Sequence, residues 1–267
     1  MPIKDLGAGS AQLKKARDLA QAKNRSHYGQ QLVEGVQAVR ELLSCAPEQV
    51  RDVFTSPELL AEHEDIAALL SDLDPYVHLG EAELISKAAP SAQGIFAVAE
   101  AAPAPSLDAV LGASKLLVCC VQLQDPGNLG TIIRTADAAG AGGVLLGSGS
   151  ADPTSPKVIR SAAGSTFHIP VWRDVELRTA VTQAHEAGFQ VLAADGCGDA
   201  QLGSAGELNL AQRNLWMIGN EAHGFTAEQL ALADQVVRIP MWGKAESLNA
   251  AVAAALCLYA SAQVLSQ

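Results

Sequence analysis

The sequence lacks the features that mark several common classes of protein. Aromatic residues make up only 4% of its 267 residues, and none of its five cysteines belongs to a Cys-x-x-Cys pair. It contains no run of roughly 18 apolar residues that could cross a membrane. The N-terminal MPIKDLGAGS has no apolar secretory segment. We therefore expect a cytoplasmic protein with reduced thiols and no membrane contact.

Metal and nucleotide signatures are also missing. The six histidines are scattered, without a close pair of metal ligands, so the sequence predicts no metal site. There is no Gly-x-x-x-x-Gly-Lys phosphate loop. The glycine-rich GAGG at 140–143 follows a predicted helix, whereas a dinucleotide fingerprint would follow a strand. The sequence therefore favours neither a P-loop nor a Rossmann domain.

Positive charge is scarce, since 18 basic residues stand against 29 acidic ones and give a net charge of −11. The basic residues are concentrated in the first 30 positions, which form a basic arm on an otherwise acidic protein. Such an arm is still compatible with contacts to nucleic-acid phosphates, because these contacts depend on the local electric field. A solvated helix face explains the same charges equally well. The first 30 residues contain two acidic residues and six basic ones, namely Lys4, Lys14, Lys15, Arg17, Lys23 and Arg25.

The order of apolar patterns predicts two α/β halves joined by a linker. In the first half, QQLVEGVQAVRELL at 30–43 has the spacing of an amphipathic helix, and short strands and helices alternate after it. The Ala-Pro-Ala-Pro core of residues 99–114 is typical of a stiff spacer. The second half begins with the apolar KLLVCCVQL at 115–123 and alternates strands with helices more strongly. This pattern predicts a parallel sheet with helices on both faces.

Three segments rich in polar residues and glycine follow predicted strands of the second half, where open parallel sheets bind their ligands. Gly219 and Gly243 would let a ligand approach the backbone, and Asn128 and Ser247 are expected to cap the helices beside them. Arg134 is unexpected, because it lies beside the most apolar residues of a predicted helix. The segments are QDPGNLGTIIRTADAAG (124–140), IGNEAHGF (218–225) and IPMWGKAESLN (239–249).

These segments resemble, in order and spacing, the three motifs of the SpoU (TrmH-like) RNA ribose 2′-O-methyltransferases of the SPOUT class. The resemblance covers roughly residues 115–262 and includes the intervening ADPTSPKVIRSAAGSTFHIPV. Residues 25–98 resemble the family's N-terminal substrate-binding domain. The resemblance implies an enzyme that uses S-adenosylmethionine to methylate a ribose 2′-hydroxyl of RNA. It also implies a homodimer with the active site at the subunit interface.

The fold that the resemblance implies is α/β. A smaller, ribosomal-protein-like α/β domain would bind the substrate, and a C-terminal parallel-sheet domain would contain a deep trefoil knot. Knots are rare exceptions to the usual connection rules, so no pattern in the residues themselves predicts one. The expected boundaries are a basic flexible arm at 1–24, the RNA-binding domain at 25–100, a linker at 101–114 and the SpoU domain at 115–267.

The resemblance also implies which residues form the site. The family's catalytic positions match Arg134, Asn128, Ser247 and Asn249, with Glu221 as the acid of the second motif. Trp242 would be a packing residue or flank the cofactor or a base. Lys157 and Arg160 would contact RNA phosphates or lie on a solvated helix face. Backbone groups at seven positions would hold the cofactor, namely Leu192, Ala193, Gly219, Asn220, Ile239, Met241 and Leu248.

Arg134 would face the RNA and the partner subunit, which would explain why it interrupts an apolar stripe. A guanidinium keeps its proton at neutral pH, so we expect Arg134 to orient the ribose and stabilise the developing alkoxide. Water or a substrate phosphate would take the proton. The alternative is a structural ion pair between Arg134 and a carboxylate such as Glu221 that holds the dimer together. Asn128, Ser247 and Asn249 could likewise serve only as helix caps.

The substrate and the role leave further alternatives. Ribosomal RNA is favoured over transfer RNA because the N-terminal half resembles a ribosomal-protein-like module. A non-catalytic RNA-binding or assembly factor could use the same fold. A small-molecule nucleotide-binding enzyme is the third possibility, but it leaves the basic arm and the N-terminal module unexplained.

Overall fold

A computed structural model of the chain describes residues 3–7, 10–204 and 208–266. These residues form two compact units. The first contains the described residues up to Pro103 together with Thr154–His168, and the second contains Ala104–Pro153 and those from Ile169 onward. Within the described ranges, no helix is both long enough and apolar enough to cross a membrane.

Short strands and helices alternate along the whole chain. The elements up to residue 100 are β1 (Ile3–Asp5), α1 (Ala11–Asp18), α2 (Ala22–Tyr28), β2 (Gln30–Glu34), α3 (Val36–Cys45), β3 (Val50–Thr55), α4 (Pro57–Glu62), α5 (Glu64–Leu73), β4 (Tyr76–Leu79), α6 (Ala82–Ala88) and β5 (Ile95–Glu100). Those that follow are α7 (Leu107–Ala113), β6 (Leu116–Cys120), α8 (Pro126–Ala138), β7 (Val144–Gly147), α9 (Pro156–Ala162), β8 (Val171–Val175), α10 (Leu177–Glu186), β9 (Phe189–Ala194), β10 (Ala200–Gln201), β11 (Arg213–Ile218), α11 (Ala227–Leu230), β12 (Gln235–Arg238) and α12 (Ala250–Leu265).

A mixed five-stranded sheet in the order β1-β4-β3-β5-β2 organises the first unit. β1, β4 and β3 are parallel, whereas β5 runs antiparallel to both β3 and β2. Successive residues of a strand point to opposite faces, so each face carries its own core. Ala97 of β5 packs with α3 and α5 on one face, and Phe96 and Val98 pack with α1 and α6 on the other.

The start of the first unit differs from the prediction of one long amphipathic helix. Gln30–Glu34 form β2, and all five residues are buried because this strand pairs with β5. Gly35, at a φ of 97°, separates β2 from α3. A φ in this region favours glycine, and the apolar spacing of residues 32–43 fits a strand followed by a helix as well as it fits a helix.

The described part of the predicted flexible arm is folded. Residues 10–24 form α1 and the beginning of α2, because Leu13 and Leu19 are buried in the core of the first unit. Arg25 is also buried, and its guanidinium donates hydrogen bonds to the carbonyls of Leu19 and Ala20 at 3.0 and 2.9 Å. Residues 1–2 and 8–9 lie outside the described residues. The basic residues of the stretch 10–24 are all exposed, namely Lys14, Lys15, Arg17 and Lys23.

A parallel seven-stranded sheet organises the second unit, in the order β10-β12-β9-β11-β6-β7-β8. This confirms the prediction of a parallel α/β sheet. Leu215 and Met217 of β11 pack with α10 on one face. On the other face, the indole Nε1 of Trp216 donates a buried 2.9 Å hydrogen bond to Ser261 Oγ of α12. Helices therefore cover both faces.

Two stretches differ from the predicted domain organisation. Residues 154–168 were expected in the methyltransferase domain, but they pack in the first unit, where Ile159 joins the core. Arg160 forms a 3.0 Å ion pair with the nearly buried carboxylate of Glu34, so it does more than line a solvated helix face. Burial raises the pKa of Glu34, and Arg160 offsets only part of that rise. The predicted linker contains α7, whose Leu111 is buried.

Candidate active site

The three motif segments start at one edge of the parallel sheet. They follow β6, β11 and β12, and β9 lies between β11 and β12. Because these neighbouring strands are parallel, their carboxyl ends meet at the same edge, where open α/β sheets bind ligands. The fold therefore brings together residues that are far apart in the sequence.

Hydrogen bonds between three side chains join the three motifs. Asn128 Nδ2 donates to Glu221 Oε1 at 3.2 Å, and Asn249 Nδ2 donates to Asn128 Oδ1 at 2.9 Å. These pairs are separated by 93 and 121 positions along the chain. We call Asn128, Glu221 and Asn249 the motif triad. The triad shows that three residues predicted for the site do lie together.

Glu221 holds the beginning of α8. Its carboxylate accepts hydrogen bonds from the backbone N–H groups of Gln124 at 3.1 Å and Asp125 at 2.9 Å, in addition to the bond from Asn128. Burial raises the pKa of Glu221, but the bonds from Asp125, Gln124 and Asn128 outweigh it, so the pKa lies below its usual value. Glu221 is therefore ionised at neutral pH, and its contacts stabilise the anion.

Of the residues predicted as possible helix caps, only Asn249 acts as one. Asp125 caps α8, because its side chain accepts from Asn128 N at 2.8 Å, and Pro126 occupies the first turn. Asn249, not Ser247, caps α12, because its Oδ1 accepts from the N–H groups of Ala251 and Val252. The prediction that Asn128 and Ser247 act as caps was wrong. The side chain of Asn128 contacts the other two motifs, and Ser247 is exposed.

Arg134 is exposed on α8. It lies six residues after Asn128, which corresponds to about 9 Å along the helix axis because an α-helix rises about 1.5 Å per residue. Leu129, Ile132 and Ile133 of the same helix are completely buried, so the helix buries one face and presents Arg134 elsewhere. Within residues 3–7, 10–204 and 208–266, no side chain forms an ion pair or hydrogen bond with Arg134. Within one chain, Arg134 and Glu221 therefore do not pair, and a pair that holds the dimer together stays a prediction.

Asn220 is a buried organiser of the second motif. Its Nδ2 donates to Gln122 O at 2.7 Å, and its Oδ1 accepts from Ala222 N at 2.8 Å. Its backbone pairs with Gly224 in both directions, which closes the loop after β11. The side chain and the backbone N–H are thus already engaged within the protein, and the carbonyl oxygen keeps one lone pair that a ligand could reach.

The glycine at 219 is required by close packing. A Cβ at this position would lie 3.0 Å from the ring of Phe225 and 3.0 Å from the backbone of Gly224. We predict that Gly219→Ala lowers the free energy of unfolding by about 1–3 kcal/mol through overpacking. Gly243→Ala is the matched control, because a Cβ there would meet no atom within 4 Å. Equal denaturation midpoints for the two variants would contradict this prediction.

Two of the predicted cofactor positions are not at the edge of the sheet. Leu192 and Ala193 are completely buried within β9, and their backbones pair with β11 on one side and β12 on the other. Asp195 directly follows this strand and lies at the edge, and sequence reasoning missed it. Asp195 Oδ1 accepts from Cys197 N at 3.0 Å. The change from the mostly apolar FQVLAA to the DG that follows it at the end of the strand was the signal that could have identified Asp195.

The third motif has the open backbone that a ligand site needs. Among the described residues, no backbone–backbone hydrogen bond involves residues 240–248. Met241 is 39% exposed and Trp242 is 91% exposed. Of the two predictions for Trp242, the one that it packs inside the protein is therefore wrong. Ile239 and Leu248, at the two ends of the segment, are half-buried. Backbone groups without backbone partners, next to apolar side chains, fit a cofactor that is recognised largely through the backbone.

The SpoU rRNA Methylase family matches residues 115–259 of this chain, a region that contains all three motifs and the triad. The chain belongs to the SpoU rRNA methylase family. This confirms the family and the kind of enzyme predicted from the motifs. It also agrees with the α/β fold and its parallel sheet.

Individual relatives are similar over different parts of the chain. The 23S rRNA (guanosine(2553)-2′-O)-methyltransferase RlmP of Bacillus subtilis is 42% identical over 56% of this chain and 58% of its own length. The 23S rRNA (guanosine-2′-O-)-methyltransferase RlmB of Bordetella pertussis is 31% identical over 86% of this chain and 96% of its own. The chain thus spans somewhat more than half of the first relative and nearly all of the second.

Among solved structures, the SpoU methyltransferase AviRb of Streptomyces viridochromogenes in complex with AdoMet has the same fold. It is 30% identical, with a TM-score of 0.82, and the match covers 95% of this chain and 98% of that one. The similarity therefore extends over both units, beyond the region that the family model matches.

Proposed function

We propose that the protein methylates the ribose 2′-hydroxyl of one nucleotide in large-subunit ribosomal RNA, as a homodimer with the active site at the subunit interface. The observation that carries this proposal is the motif triad. It fixes the three motifs around one edge of the sheet, while Arg134 stands on α8 without a partner among the described residues. The enzyme class follows from the family, and the cofactor is S-adenosylmethionine, which AviRb also binds.

The cofactor would be held at the edge formed by β9, β11 and β12. The backbone of Gly219 and Asn220 on one side and of Ile239, Met241 and Leu248 on the other would line its site. We place Asp195 there in preference to Leu192 and Ala193, because it directly follows the last residue of β9, where its backbone N–H donates to Val237 O. When bound, S-adenosylmethionine supplies an electrophilic methyl group on a positively charged sulfur.

Arg134 would position the target ribose and stabilise the charge that develops on its oxygen. The 2′-oxygen gains the methyl group and loses its proton, so negative charge builds up on it during transfer, and a fixed cation nearby lowers the barrier. The guanidinium itself keeps its proton, so water or a substrate phosphate accepts the one that leaves. The triad holds α8, and with it Arg134, in place. Ser247 lies in the exposed segment before Asn249.

Exposed basic and aromatic side chains of the first unit support RNA as the partner. Lys15 Nζ lies 4.7 Å from the centre of the Tyr28 ring, and Tyr28 is 46% exposed. Bases stack on such rings, and the neighbouring cations Lys14, Arg17 and Lys23 can neutralise phosphates. We therefore propose that the first unit is the RNA-binding domain. Ribosomal RNA is preferred to transfer RNA because both curated relatives described above are named for 23S rRNA.

The homodimer is supported by an apolar stripe on α12. Val252, Leu256 and Tyr259 are 48%, 44% and 46% exposed, and their spacing places them on one side of the helix. A contiguous exposed apolar surface of this kind is typical of an interface with another chain.

We also propose that the segment after β9 forms the trefoil knot expected from the family, and that the enzyme acts on its RNA in the cytoplasm.

Methyl transfer from labelled S-adenosylmethionine tests the proposal. Unmodified ribosomal and transfer RNA transcripts and isolated large-subunit particles are offered to the purified protein separately. We expect label in ribosomal RNA or its particles, in a position that resists alkaline hydrolysis, because a methylated 2′-oxygen cannot attack the adjacent phosphate. Label confined to transfer RNA would show that the substrate is transfer RNA and not ribosomal RNA. No label in any of the three substrates, with cofactor binding intact, would favour the non-catalytic alternative.

A further inference from the structure

Three metal-ligating side chains meet on the surface of the first unit, although the sequence predicted no metal site. Glu41 and Cys45 lie one turn apart on α3, so they share a face of that helix. His168 follows α9, more than a hundred residues later. One carboxylate oxygen, the thiol sulfur and a ring nitrogen of these residues all lie within 4.8 Å of one another. The sequence alone could not indicate this cluster, because its residues come from segments that only the fold brings together.

The distances between the ligand atoms suit a zinc-type ion. Glu41 Oε2 lies 3.1 Å from His168 Nε2, and the Cys45 thiol donates to the same oxygen at 3.9 Å. Zinc bonds of about 2.0–2.3 Å in a tetrahedron place neighbouring ligand atoms about 3.3–3.8 Å apart. Small side-chain movements would therefore convert the present contacts into coordination, and a thiolate together with an imidazole favours Zn²⁺ over Mg²⁺ or Ca²⁺.

The surroundings hold Glu41 in position. Gln37 Nε2 donates to Glu41 Oε1 at 2.6 Å, and Arg40 Nη1 donates to Gln37 Oε1 at 2.9 Å. These bonds engage one carboxylate oxygen and leave the other directed at His168 and Cys45, as partners around metal sites do. Gly164, at a φ of 100°, packs so closely against the stem of Glu41 that a Cβ would collide with it.

We propose that Glu41, Cys45 and His168 form a binding site for Zn²⁺, with water as the fourth ligand. The ion fastens residues 164–168 to α3 and so holds the segment 154–168 within the first unit. Three protein ligands and an open position match the ligand number of zinc sites that retain a water. The proposal does not depend on the proposed methyl transfer, because metal binding is measured without RNA.

Cobalt titration of the full-length protein, purified without metal, tests this site. Co²⁺ occupies zinc sites, and a thiolate ligand gives a charge-transfer band in the near ultraviolet. We expect the band to saturate at about one ion per chain, and Zn²⁺ to abolish it. Cys45→Ser should lose the band, and His168→Gln should weaken cobalt binding by at least about tenfold.

Cys197→Ser is the matched control, since Cys197 is the other exposed cysteine, and it should keep the band. Thermal unfolding of each apo-variant establishes that it is folded, which is expected because Cys45 and His168 are exposed. A wild-type protein without the band would overturn the proposal. So would an unchanged band in Cys45→Ser, or loss of the band in Cys197→Ser.

Discussion

Arg134→Ala should abolish most methyl transfer while it leaves the fold and cofactor binding intact. We expect kcat to fall by about 10²–10³, the usual loss when one preorganised donor to a developing oxyanion is removed. The side chain is exposed and has no partner among the described residues, so its removal leaves no buried group unsatisfied. The measurement is single-turnover methylation of ribosomal RNA, with cofactor affinity determined by calorimetry.

Two further variants separate the roles that Arg134 could have. Arg134→Lys keeps the charge but loses the planar fork, so a partial recovery of kcat would indicate that charge and geometry both contribute. Full activity in Arg134→Lys would refute an orienting role for the guanidinium. Arg178→Ala removes another exposed arginine, from α10 of the same unit, and should retain wild-type kcat. If Arg134→Ala were as active as Arg178→Ala, our account of catalysis would be wrong.

Leu256→Asp should convert the proposed homodimer into monomers and abolish methyl transfer. Leu256 lies in the middle of the exposed apolar stripe of α12, so a carboxylate there would be buried without a partner in a dimer. The same carboxylate is tolerated in the monomer because the position is 44% exposed. Light scattering gives the mass, and the labelled-methyl assay gives the activity.

Leu73→Asp provides the matched control, because Leu73 is 38% exposed at the end of α5 in the first unit. It introduces the same charge at an exposed leucine outside the stripe and should leave both mass and activity unchanged. A Leu256→Asp protein that stays dimeric would locate the interface elsewhere. A fully active monomer would show that each subunit carries a complete site.

Much of the fold could be predicted because apolar periodicity reports burial directly. KLLVCCVQL became β6, and the alternation after it became a parallel sheet with helices on both faces. The prediction failed at Gln30–Glu34, where the same apolar spacing suits a strand joined to a helix by Gly35. It also failed for the arm, because a count of charges does not reveal that Leu13 and Leu19 are buried or that Arg25 donates to buried carbonyls.

Predictions about the candidate site were likewise correct in some respects and wrong in others. Motif order and spacing identified the family and placed Asn128, Glu221 and Asn249 in one site, which the motif triad supports. The roles of Arg134 and Ser247 remain predictions. Helix-cap reasoning offered Asn128, Ser247 and Asn249, whereas Asp125 and Asn249 form the caps. Several polar residues near a helix start can serve as a cap, and the contacts made with other segments decide which one does.

The sequence by itself determined the alternation of strands and helices in the second half, the parallel sheet and the three motifs, because these depend on residues close together along the chain. The tertiary structure alone decided which side chains meet. It joined Asn128 to Glu221 and Asn249, enclosed the backbones of Leu192 and Ala193 between two strands, and brought His168 to Glu41 and Cys45. Hydrogen bonds and metal coordination act over about 2–4 Å. Contacts of that range between distant segments are set by how the strands and helices pack.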